Sequence, residues 1–408
     1  MRAGGVMTRE PAGRARRRAA RLFEAAQSFG LVVLLFGLPF SEAAKSAGLG
    51  LAVLGFAGKT ALGRRPDFGG RALPLALASF YAAAVLSVVF ARPELRAAGE
   101  LFTLAMALLP FFLVADACSR PTRRLFFMLV VIAGAAVAAT LAYFDHMFGE
   151  YSRLVLDSIE NAIPAAEYLA AAAVAAVAML MAELAAPVAG PILGLAAGVT
   201  GLALLMTKSR GPVIGAVAGG MLAAGTMLRR KRVAVAILAL AVVAAIAFAV
   251  VNPEARVTRW GEAGRTGVEN RLAIWSETLD RACDSPVTGN GIGSYSRLGI
   301  VYSDEILTLR QDNAHNTMLQ IACDTGVLGS GTFLVFLVLA VVGLVRSVRT
   351  SVGMPRAVSV ASLGGVVVLL VAGFFSVVID AEPGILFFSL AAMGQAREVG
   401  RCRSEGRG

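Results

Sequence analysis

The sequence predicts an all-α fold, a polytopic transmembrane helical bundle of about 12 helices with a large periplasmic loop that itself contains amphipathic helices. Three observations predict it. The 408 residues are 57% hydrophobic and only 16% charged, with a mean hydropathy of +0.72, where a soluble domain carries about 25% charged residues. The apolar residues fall in runs of bilayer length separated by short polar breaks, and only a helix satisfies its own backbone across lipid in so short a run. Lys and Arg gather at alternate breaks.

The N-terminal 24 residues form a basic tail, and the apolar run that follows resembles a leader peptide. Pro39, Phe40, Ser41 and Glu42 come directly after it, where cleavage would require small residues, so a retained first helix is expected. The expected spans are 25–41, 46–58, 73–91, 98–116, 125–146, 164–184, 187–206, 211–228, 233–251, 326–345, 357–379 and 383–396. The second and the last are short for a crossing of about 20 residues, and suit a tilted or re-entrant segment. The chain thus divides into the tail 1–24, helices one to nine over 25–251, a loop over 252–325, helices ten to twelve over 326–396, and a second tail over 397–408.

Charge gives the orientation. With both tails on the cytoplasmic side, 25 of the 38 Lys and Arg lie in inside segments and six in short outside gaps. The other seven lie in the long loop, which does not weigh in this rule. The imbalance puts the loop outside a cytoplasmic (inner) membrane. It also explains the net charge of +11 without a nucleic-acid partner; membrane lipids are the partners expected.

The loop is not a linker. Residues 270–283 place Leu272, Trp275, Leu279 and Ala282 on one helical face, with Asn270 as a plausible N-cap. Residues 315–323 repeat the pattern with Met318, Leu319 and Ala322. A turn-rich stretch, SPVTGNGIGSYS, joins them, and the pair reads as a lid against the membrane. Its Gly289-Asn290-Gly291-Ile292-Gly293 lacks the strand and wider fingerprint of a nucleotide loop and reads as a turn. Of the four cysteines, Cys283 and Cys323 share the loop and are candidates for a bridge, or for separate buried thiols.

Three places put polar chemistry where the hydrophobic pattern does not require it. Lys208-Ser209-Arg210-Gly211 is a short turn on the side that should be poor in Arg. An isolated Arg there can simply snorkel, but a planar guanidinium also suits a lipid-borne pyrophosphate. Arg271 lies one turn before Trp275, where it is either solvated, stacked on that ring, or functional; Arg265 is a less specific neighbour. His315 and Asn316 open the second loop helix, and an imidazole can take a proton from an attacking hydroxyl near neutral pH. His146, the other histidine, sits beside Phe144 at a helix end. Asp380 and Glu382 lie at the outer end of the penultimate span, able to bind a divalent metal, pair with an Arg, or orient an acceptor.

NRLAIWSETLDRACDSPVTGNGIGSY followed by NAHNTMLQIACDTGVLGSGTFLVF resembles the signature region of the O-antigen ligase and polymerase superfamily. The pattern is carried by Arg271, Trp275, Pro286, Gly289, Gly291, His315, Asn316, Gly326 and Gly329, and the Ser209-Arg210-Gly211 turn is similar to a further family element. The resemblance implies a metal-independent, inverting glycosyl transfer without a cofactor. A glycan would move from undecaprenyl diphosphate to a hydroxyl of a lipid or glycan acceptor. It implies that Arg210 and Arg271 clamp the diphosphate, with Lys208 nearby, that His315 acts as base with Asn316 orienting the nucleophile, and that Asp380 supports the acceptor or pairs with an Arg. The stretch from Gly326 to Phe333 lacks the fuller aromatic pattern common among ligases, so ligase and repeat-unit polymerase both stand. A transporter or flippase for a lipid-linked glycan is the rival class. It would place polar groups in mid-span, where this sequence is almost purely apolar.

Overall fold

The computed structural model describes residues 10–148, 153–157, 159, 161–183, 188–227, 262–303, 308–379 and 381–395. The expected ninth span, 233–251, lies outside these residues, as does Asp380. Twelve α-helices are present among the described residues. They are α1 (Glu10–Gly37), α2 (Glu42–Ala61), α3 (Ala72–Phe90), α4 (Ala98–Ala117), α5 (Pro121–Phe148), α6 (Ala162–Glu183), α7 (Ala189–Met206), α8 (Arg210–Met227), α9 (Glu262–Asp284), α10 (Thr317–Thr350), α11 (Gly353–Ala372) and α12 (Ala381–Met393). Eight are long and apolar enough to cross a membrane: α1, α3, α4, α5, α6, α7, α10 and α11. Among the described residues the only sheet is a ribbon of β1 (Val301–Ser303) and β2 (Thr308–Arg310), antiparallel with Tyr302 opposite Leu309; apart from an isolated bridge between Leu156 and Ile159, the fold is an all-α bundle.

Several boundaries differ from the sequence expectation, each for a local reason. α1 reaches back through the basic stretch to Glu10, because Arg, Ala and Glu are good helix formers with or without lipid. α9 starts at Glu262, so Asn270 lies inside the helix rather than capping it. The second loop helix and the tenth span are one 34-residue element, α10, bent at Gly326 (φ 61°, ψ −160°).

α2 and α12, the two segments expected to be short, are tied in by buried charges. Lys45 of α2 pairs with Glu382 of α12 and with Glu42, and Lys59 at the other end of α2 pairs with Asp116 of α4. Gln27 of α1 donates to Asp116 Oδ2 at 3.0 Å. Buried charges in lipid are expected to be paired in this way. Glu382 therefore has a lysine as its partner, rather than the Arg or metal considered from sequence. With only 13 residues, α12 covers about 20 Å at 1.5 Å per residue, short of the hydrocarbon thickness.

Along the chain, α1 packs on α2, α3 on α10, α4 on α12, and α11 on both α6 and α8. A run of aromatic rings ties the second half to the first. Phe80 of α3 meets Phe333 of α10 at 5.0 Å between centroids, and Phe336 of α10 meets Phe111 of α4 at 5.8 Å and Phe388 of α12 at 5.6 Å. Against α11, α8 is nearly in backbone contact: a Cβ on Gly215 would lie 2.6 Å from Val368 O. Small residues permit this approach in apolar helix pairs, and it fixes the start of α8, where Arg210 stands.

Candidate active site

The site forms where the start of α8, the middle of α9 and the start of α10 meet the link between α11 and α12. Main-chain bonds join the turn of the loop to α10. Asn290 N donates to Cys323 O and Gly291 N to Asp324 O, both at 2.9 Å. In return Val327 N donates to Pro286 O at 2.9 Å and Leu328 N to Val287 O at 3.2 Å. Two glycines make this interlock possible. Gly289 has φ +73° and its Cβ would fall 2.4 Å from Asp324 C; Gly326 has φ +61° and its Cβ would fall 2.5 Å from Val287 C. The turn also reaches α3, where Ile292 N donates to Ser87 Oγ at 3.1 Å. The glycine-rich stretch is a docking turn, with no nucleotide role required of it.

His315 comes next along this frame. It is one of two described non-glycine residues with positive φ, at 48°; the other is Lys208 at 57°. Such a conformation costs an L-residue about 1–2 kcal/mol, so its neighbours must enforce it. Ala314 N donates to Gln320 Oε1 at 2.8 Å, Trp275 Nε1 donates to Ala314 O at 3.0 Å, and His315 N donates to Asn313 Oδ1 at 3.0 Å. Gln320 is held in turn by Asp324, whose Oδ2 accepts from Gln320 Nε2 at 2.9 Å. Asn316 is the N-cap of α10: its Oδ1 accepts from Met318 N at 3.0 Å and Leu319 N at 3.1 Å. That bonding gives Asn316 a clear structural task.

Thr317 pins α10 to the α11–α12 link. Its N donates to Gly373 O at 2.8 Å, its Oγ1 donates to Ser376 O at 3.0 Å, and Val378 N donates to its Oγ1 at 3.0 Å. Ser376 Oγ is bonded to the carboxylate of Glu167, a fully buried acid of α6. Phe375, between these anchors, is the platform for Arg271 and also packs against the first turn of α8. The Arg271 guanidinium carbon lies 5.5 Å from its ring centroid, and the backbone of Gly211 presses on the same ring, where a Cβ would meet Phe375 Cδ2 at 3.1 Å.

Arg210 is exposed at the first residue of α8, behind a turn in which Lys208 is exposed and Ser209 is buried, its Oγ donating to Ala162 O at 3.3 Å. Burial lowers the pKa of Arg271 from its ordinary value, and the positive charge of Arg210 lowers it further. Burial likewise lowers the pKa of His315, with a second contribution from Arg271. Arg210 thus acts on Arg271, and Arg271 on His315, so the three side chains form one electrostatic group. At neutral pH it combines two guanidinium groups with an uncharged imidazole. An apolar cavity of about 300 Å³ adjoins it, lined among others by Asn316, Met318, Leu334, Leu370 and Phe374.

The structure thus brings Arg210, Arg271 and His315 together. Arg271 stacks on Phe375 rather than on Trp275, because the indole N–H is turned inward to Ala314. The face of α9 that packs inward carries Ile274 and Thr278, and Leu272 and Leu279 of the expected face are 56% and 51% exposed. Cys283 and Cys323 are free thiols, one exposed and one buried. Sequence reasoning missed Phe375, Thr317, Gln320, Asp324 and Glu167. A signal existed for Glu167, an acid inside an alanine-rich span, and for Gln320 and Asp324, two polar residues one turn apart.

Residues 195–334 match the family model described as O-antigen ligase, a stretch that contains Arg210, Arg271, His315 and the Gly289–Gly326 interlock. No curated protein matches the chain. That stretch runs from within α7 to within α10, and over it the chain is similar to the O-antigen ligase family.

Proposed function

We propose that the protein moves a glycan from undecaprenyl diphosphate to an acceptor hydroxyl at the outer face of the cytoplasmic membrane. The family domain supports a membrane glycosyltransferase; the donor, the acceptor side and the residue roles are our reading. The observation that carries it is the convergence of two guanidinium groups and one uncharged imidazole from three separate segments of the chain.

In this reading Arg210 and Arg271 hold the diphosphate, with Lys208 at the approach. Their positive charge stabilises the negative charge that grows on the leaving oxygen as the sugar–phosphate bond breaks. His315 accepts the proton of the acceptor hydroxyl as that oxygen bonds to the anomeric carbon on the opposite face, which inverts the linkage. The leaving group needs no added charge from a metal, since two permanent cations already face it. The apolar cavity beside Asn316 and Met318 suits the first isoprene units of the carrier. Asn316 contributes through the start of α10, and Asp380 remains a candidate on the acceptor side.

The test is transfer by the purified full chain, given a lipid-diphosphate glycan and, in separate reactions, a glycolipid or a glycan acceptor. His315→Ala should lower turnover about 10²–10⁴-fold, and Arg210→Ala and Arg271→Ala about 10²–10³-fold each. The preferred acceptor separates ligase from polymerase. Undiminished turnover in His315→Ala, with folding intact, would refute the assignment.

A further inference from the structure

A cationic cavity, of about 660 Å³, lies at the opposite end of the bundle, between α1 and the start of α5. Arg21, Glu24, Ala25 and Ser28 follow one another at helical spacing along α1 and form one wall; Arg120, Arg123, Phe126 and Phe127 form the other. Arg123 and Glu24 pair across the seam at 2.6 Å. Three guanidinium groups thus face a single carboxylate, and among the described residues Arg21 and Arg120 make no ion pair. The surface beside the cavity is apolar and open: Leu22, Phe29 and Phe126 are 65%, 61% and 51% exposed.

We propose that this cavity binds the headgroup of an anionic glycerophospholipid in the leaflet at this end of the bundle. The combination is specific to a lipid. Arg21 and Arg120 offer planar, permanently charged donors to a phosphate, and the exposed phenylalanines continue the wall in the direction the acyl chains would run. Basic pockets between helices at the cytoplasmic rim are suited to such headgroups. Bound there, the phosphate bridges α1 to α5 alongside the Arg123–Glu24 pair. The site lies far from the arginines discussed above and does not depend on the proposed reaction.

The test uses the full chain in detergent, titrated with dioleoyl-phosphatidylglycerol or dioleoyl-phosphatidylcholine, with bound lipid counted by native mass spectrometry. The wild type should retain the phosphatidylglycerol preferentially. Arg21→Gln/Arg120→Gln should weaken that retention roughly thirtyfold, since each charge is worth about fivefold at an anionic surface. Arg64→Gln/Arg65→Gln, two exposed charges outside the cavity at the same end, should leave it unchanged. Equal retention of the two lipids, or an equal loss in the two double variants, would overturn the proposal. So would displacement of the lipid by inorganic phosphate, which would reassign the cavity to a soluble anion. A matched elution profile on gel filtration confirms that each variant is folded.

Discussion

Gly326→Ala is expected to release the loop from the bundle. At φ 61° and ψ −160°, Gly326 occupies backbone space that is essentially reserved for glycine, and an alanine there costs about 1–3 kcal/mol. The new methyl would also sit 2.5 Å from Val287 C and 2.6 Å from Gly289 N. Overpacking against a backbone that is itself hydrogen-bonded adds about 1–3 kcal/mol. Taking about 4 kcal/mol in total, with about 1.4 kcal/mol per tenfold change, the ratio of docked to undocked loop falls roughly a thousandfold. Trp275 reports the event, since its indole bonds Ala314 at the hinge before His315. In a Trp260→Phe background its fluorescence should shift to the red, and thermal unfolding in detergent should begin earlier. Gly331→Ala is the control: its Cβ meets open space, and the change should be neutral or slightly stabilising. Identical unfolding of the two variants would refute the claim that the glycine contact holds the loop.

Activity should fall at acid pH as His315 gains a proton, with a midpoint below the ordinary histidine value of about 6.5. Because Arg271 contributes to that depression, Arg271→Gln should move the acid limb to higher pH, measurable in the pH profile of whatever turnover remains. The same group makes a stability contribution that is complete above pH of about 6.5 and is lost as pH falls through the lowered folded-state value, because the unfolded chain then binds more protons. Thr317→Val leaves Val378 N without its acceptor and Ser376 O without its donor. It should destabilise by about 1–3 kcal/mol, read as a lower melting temperature. Asp116→Asn leaves Lys59 charged and unpartnered at the far end of α2 and should cost about 3–5 kcal/mol, whereas Lys59→Met/Asp116→Leu should recover most of it. A maleimide should label Cys283 in the folded protein, with Cys323 reacting only after denaturation.

The helices were legible because lipid demands long apolar runs, and the run lengths survive in the sequence with little ambiguity. Their ends were not. α1 overruns its span because nothing in Arg-Ala-rich sequence stops a helix at the membrane boundary, and α10 continues through Gly326 because a bent helix and two helices carry the same composition. Arg210, Arg271 and His315 stood out as polar residues with no packing reason to be present. Phe375 and Thr317 did not, since an aromatic and a threonine in an apolar stretch look like ordinary core. Their importance lies in distant partners: Thr317 meets Ser376 and Phe375 meets Arg271, separations that periodicity cannot see. Asn316 shows the converse, because its place beside His315 suggested chemistry and its side chain is bonded to the first turn of α10.

The mutual clasp of Gly289 and Gly326 joins the loop to α10 through main-chain atoms. Exposed side chains of α9, such as Leu272 and Leu279, can change while those main-chain bonds stay as they are. If the proposed transfer holds, such changes would alter which glycan is accepted without moving His315.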